Sequence, residues 1–87
     1  MTFNDLYINR EEFFSMGIET ASNRFYVSFP VSNGFTDYEE YYEIDESHFE
    51  LFKPDIDAAT VFVMQCRRRE MDHLLMMKPG SNRGSAI

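Results

Sequence analysis

The sequence predicts an α+β fold: a small antiparallel sheet with about three helices packed on one face. Three observations point there. Residues 24–31 and 37–44 alternate side chains with a period of two, and the turn dipeptide Asn33-Gly34 lies between them. Asn9, Asp45 and Asp55 each stand where a helix would be capped. The 87 residues, 44% of them hydrophobic, leave room for one domain with one modest core. Residues 1–79 read as that domain. Residues 80–87 read as a polar C-terminal tail, dispensable for folding because its glycines and serines bury little surface.

The first element is a short helix over 10–16. Asn9 caps it, Glu12 reaches back to the Asn9 amide, Phe13 and Phe14 plug the core, and Gly17 ends it at positive φ. Ile18–Ala21 is a brief strand and Ser22-Asn23 a turn. In the strand 24–31, Phe25, Val27, Phe29 and Val31 share one face, and Arg24, Tyr26, Ser28 and Pro30 the other. Pro30 cannot donate to a ladder and marks a strand end or sheet edge.

In the strand 37–44, Tyr38, Glu40, Tyr42 and Ile44 face inward; Asp37, Glu39, Tyr41 and Glu43 face outward. Four carboxylates in one strand repel each other, which suits an exposed strand better than a buried one. Asp45 or Ser47 then caps a short helix ending at Lys53-Pro54, with Phe49 and Phe52 on one side. Asp55 caps a longer helix, 56–77, with an apolar stripe of Ala59, Phe62, Val63, Cys66, Leu74 and Met77. Thr60-Val-Phe-Val63 would also suit a strand, but no turn signal appears before Pro79-Gly80, and length decides for helix. The expected core is Phe25, Val27, Phe29, Phe49, Phe52, Phe62 and Leu74.

Charge is unevenly distributed. Residues 1–60 hold thirteen Asp/Glu against three Lys/Arg; residues 61–87 hold five Lys/Arg against Glu70 and Asp72. The balances of −10 and +3 sum to the net −7. That sign argues against direct nucleic-acid binding, which needs a basic surface. Cys66 is the only cysteine, so no intramolecular disulfide forms and the chain reads as cytoplasmic. The start has no signal-peptide pattern, no apolar run is long enough to span a membrane, and the chain reads as a whole small gene product.

The sequence carries no credible catalytic constellation, and no cofactor or metal is expected. Cys66 and His73 lie seven apart, two turns along one helix, whereas a dyad needs closer contact and a third, orienting group. A buried Cys packing as a small hydrophobe fits better. Glu70-x-x-His73 occurs once, whereas a di-metal site needs paired copies. Arg67-Arg68-Arg69 is a basic cluster in an acidic chain, expected to pair with its own carboxylates Glu39, Glu43 or Asp72, or else to bind a partner. The run Asp37–Ile44 is acidic and aromatic together, a composition suited to docking something basic, although charge there also guards an edge strand against aggregation.

The segments Phe25–Ile44 and Cys66–Gly84 resemble, in type, the small acidic immunity proteins of bacterial contact-dependent growth-inhibition and polymorphic toxin systems. The resemblance implies a non-enzymatic protein that binds one cognate toxin domain, of a basic, nuclease type. It would occlude the toxin's active site or substrate groove. On this reading Asp37, Glu39, Tyr41 and Glu43 supply charge and an aromatic anchor, and Glu46 and Glu50 extend the acidic rim along the next helix. The alternative is a phage or mobile-element decoy that mimics nucleic acid against a defence enzyme.

Overall fold

The computed structural model describes all 87 residues. Four strands form an antiparallel meander in chain order: β1 (Phe3–Asn9), β2 (Phe14–Glu19), β3 (Arg24–Ser32) and β4 (Asp37–Ile44). Two helices follow, α1 (Glu46–Phe52) and α2 (Ile56–Arg67), and pack on one face of the sheet. A 3-10 turn at Asp72–Leu74 and a two-residue strand, β5 (Ser85–Ala86), complete the chain. The fold is α+β as expected, with two helices rather than three. Neither helix is long and apolar enough to cross a membrane.

The missing helix is at 10–16. Asn9 does accept the Glu11 and Glu12 amides, at 3.1 and 3.0 Å, as a cap would. Those bonds close a turn instead. Phe13 takes a positive φ of 58°, the chain reverses, and Phe14 and Met16 enter the core with period two as β2. Arg67 pins this turn by donating to the carbonyls of Glu12 and Phe13, at 2.5 and 3.2 Å. Gly17 is therefore not a helix terminator but a strand residue. A Cβ there would meet the Asn4 carbonyl oxygen at 2.0 Å and the Tyr26 hydroxyl at 2.6 Å. β1, absent from the sequence expectation, is exposed along most of its length and bulged between Asp5 and Tyr7, so it shows no alternation.

The register of β3 and β4 is as expected. Val27 pairs with Tyr42, Phe25 with Ile44 and Val31 with Tyr38. Val27, Phe29, Phe49 and Phe52 are buried; Phe25, Phe62 and Leu74 are half-buried and pack against them. Phe25 stacks on Phe49 at 4.4 Å between ring centres. β4 is not the exposed strand its charge suggested. Tyr42 is fully buried, and Glu40 is 8% exposed.

Asp55 caps α2 by accepting the Ala58 amide at 3.0 Å. Residues 59–66 are helical, but the helix stops at Arg67 rather than Met77. Arg69 adopts a left-handed φ of 62°, its amide donates to Cys66 and that of Glu70 to Gln65, a helix-ending closure. The chain then runs back beside β4, where the Met76 amide donates to the Tyr41 carbonyl at 2.9 Å.

The segment after residue 80 is docked. Ser85 and Ala86 pair with Ser32 and Val31, on the stretch of β3 that β2 leaves free beyond Ser28. Pro30 sits in this gap, where its missing N–H is not needed, and its carbonyl accepts the Ile87 amide at 3.2 Å. Gly84 is buried, contrary to the expectation that it covers little; a Cβ there would lie 2.5 Å from the Ser32 backbone.

Candidate functional site

The helices cover one face of the sheet, and the other carries the residues singled out in the sequence. Glu39, Tyr41 and Glu43 project from β4 on this second face, opposite Pro30, Ser28 and Tyr26 of β3. Tyr26 is fully buried even without a helix above it. It lies across Gly17 and donates its hydroxyl to Asp5 of β1 at 2.6 Å. Phe3 and Tyr41 close over it, their rings stacked at 3.6 Å, each edge-on to Tyr26 at 5.3 and 5.0 Å. The three rings form a rigid platform spanning β1, β3 and β4.

Carboxylates surround the platform. Asp5 stands beside Tyr26, and Glu39 is half-buried with no cationic partner. Burial raises the Glu39 carboxyl above its ordinary value; the nearby Ser28 hydroxyl pulls the other way, and the negative charge of Asp5 adds a smaller upward push. Tyr41 is shifted up by burial, then by Glu39 and Asp5. Ser28 Oγ is buried near Glu39 without a well-formed hydrogen bond. Glu43 differs from Glu39, because Arg24 pairs with it at 3.0 Å.

The other expected residues are placed apart. Asp37 is exposed at the start of β4, on the same face. Glu46 and Glu50 lie exposed on α1, in the layer covering the opposite face, and Glu50 pairs with Lys53 at 2.7 Å. Phe3, Asp5 and Tyr26 complete the site, and the sequence reading missed them as site residues. The Tyr26 parity signal was available; the β1 contribution was not, since no pattern marked that strand.

The basic cluster does not pair with Glu39, Glu43 or Asp72. Arg67 holds the β1–β2 turn, Arg68 pairs with Glu70 at 2.7 Å, and Arg69 donates to the Gly84 carbonyl at 3.0 Å. Asp72 instead meets Arg83. Arg83 grips Glu40 at 2.7 and 3.1 Å and Asp72 at 2.6 and 3.0 Å, both in bidentate fashion, and donates to the Tyr42 hydroxyl at 3.1 Å. This junction lies on the helix side, so Glu40 serves the fold and not the open face.

Cys66 is buried, and burial, reinforced by Asp72, pushes its thiol up to about 12. It is held as the unreactive protonated thiol at neutral pH. His73 is exposed, and Glu70 in the same turn is engaged by Arg68. In comparisons with protein-family models, with curated proteins and with solved structures, nothing matches this chain.

Proposed function

We propose that this chain is an immunity- or antitoxin-type protein that neutralises a basic, nuclease-type toxin domain by laying its helix-free sheet face over the toxin's active site or substrate groove. One observation carries the reading: a rigid platform of Phe3, Tyr26 and Tyr41 ringed by Asp5, Glu39 and Glu43. Fixed aromatics lose little conformational freedom on docking, and surrounding carboxylates steer a basic surface toward them. The chain would act by binding, with no catalytic group of its own.

The decoy reading is less well supported. A polyanion mimic needs its carboxylates free and widely spread. Here Glu19 ties a turn, Glu40 and Asp72 hold Arg83, Glu43 pairs with Arg24, and Asp45 and Asp55 cap helices.

The test is surface binding kinetics with the toxin domain encoded beside this gene. Glu39→Lys should fold, since Asp5 supplies a counter-charge, and should slow association at least tenfold. Tyr41→Ala should mainly raise the dissociation rate, as an anchor loss does. If Glu39→Lys combined with Glu43→Lys folds and binds with wild-type rate constants, this face is not the docking surface.

A further inference from the structure

On the same face, at the end of the platform, the β1–β2 turn overhangs β3 and β4 and leaves a pocket of about 220 Å³. Ile8, Phe13, Ser15 and Pro30 line it together with two charged residues, Arg10 and Glu39. The volume is below the roughly 300–1,000 Å³ of small-molecule sites and matches a single long side chain. Phe13 is 59% exposed and held in a left-handed conformation that disfavours a bulky residue. Arg67 fixes that conformation, so the ring is presented rather than tucked away.

We propose that this pocket is the anchor of the interface and takes one lysine or arginine side chain from the surface of the protein partner. The inference rests on the reading of the helix-free face as the docking surface. The aliphatic stem would lie along Ile8, Phe13 and Pro30, and the cationic head would reach Glu39. Charge complementarity selects this occupant. Glu39 is half-buried, has no cation of its own, and has Asp5 as its like-charged neighbour. An incoming cation therefore relieves repulsion as well as gaining a charge-assisted hydrogen bond. Ser28, opposite Tyr41 in register, has a buried hydroxyl that makes no well-formed hydrogen bond and already acts on Glu39. The charged groups around the site are Asp5 from β1, Arg10 from the turn, Glu39 itself from β4, and Lys78, which with Glu39 lines the neighbouring cleft without pairing to it. Arg10 opposes the incoming cation and sets a sign for the test.

The experiment is an amide-resolved NMR titration of the intact chain with N-acetyl-arginine amide and N-acetyl-lysine amide, using N-acetyl-norleucine amide as the uncharged control. The cationic probes should shift the amides of Phe13, Ser15 and Glu39 with saturation in the millimolar range, and the control should not. Glu39→Gln should abolish the shifts while folding normally. Phe13→Gly suits the left-handed φ, removes one wall and should weaken binding severalfold. Arg10→Gln should strengthen it. Equal shifts with the norleucine probe, or weaker binding in Arg10→Gln, would overturn the cationic anchor. So would a silent pocket in a chain whose toxin complex is still lost on Glu39→Lys; in that case the docking face stands and only the anchor falls.

Discussion

Glu19 shows how a single carboxylate closes a structure. One oxygen accepts the Ser22 amide and hydroxyl at 2.8 and 2.7 Å; the other accepts the amides of Ala21 and Thr2 at 3.0 and 2.9 Å. The Ser22 hydroxyl, followed by the Ala21 and Thr2 amides, lowers its pKa to about 2 from 4.5. A depressed carboxyl contributes stability above its unfolded value and loses it as pH falls through the folded one. Glu19→Gln should therefore lower the melting temperature by several degrees at pH 7, and the gap to the parent chain should narrow between about pH 4.5 and 2. A constant gap across that range would mean the charge is not what matters. Glu39 has the opposite sign. Its raised pKa gives stability below about pH 4.5 that is lost as pH rises through the folded value, so Glu39→Gln should stabilise the chain at neutral pH. The outward placement of Glu39, Tyr41 and Glu43 was legible, because period two fixes strand parity. The company they keep was not. Phe3 and Asp5 come from a strand with no alternation, and Arg24 is nineteen positions from Glu43.

Local signals named their hydrogen bonds better than their elements. Asn9 made the capping bonds expected of it, but one residue in a left-handed conformation turned a helix start into a hairpin. The end of α2 was hidden for a similar reason: Arg69 takes a conformation usually given to Gly or Asn, stabilised by its bond to Gly84, fifteen residues away. The β3–β4 hairpin was legible because Asn33-Gly34 carries the turn chemistry itself; Asn33 accepts the Phe35 and Thr36 amides, and Gly34 takes a φ of 89°. The clip formed by residues 83–87 was opaque, since its partners are the backbone of β3 and a carboxylate on β4. Arg83→Met should cost about 3 kcal/mol in urea unfolding, the lower end for breaking a buried pair because Asp72 remains 39% exposed. Adding Glu40→Gln to Arg83→Met should restore part of the loss. No recovery would show that packing, not the stranded carboxylate, accounts for the effect. Gly84→Ala should weaken the clip by collision with Ser32.

Across the whole molecule, charge and edges divide the surface into open and closed regions. The outer edge of β4 is covered by Leu75 and Met76, while β1 is the open edge of the meander. The acidic platform borders that open side. With a net charge of −7, association with a basic domain should slow steeply as salt rises from about 0.01 to 0.15 M, where the screening length falls from about 30 to 8 Å. Dissociation should change little, because it reports the desolvated aromatic contact. An association rate indifferent to salt would remove electrostatic steering from the account. The Arg83 junction has a further effect, on the order of events during synthesis. Glu40 leaves the ribosome 43 residues ahead of the guanidinium that neutralises it. At about 5–20 residues per second, that interval is roughly 2–9 s. A charged Glu40 without its partner favours water through that interval, so we expect the helix layer to seal over β4 only once Arg83 is present. The chain is thereby timed to mature after translation of the clip, not strand by strand.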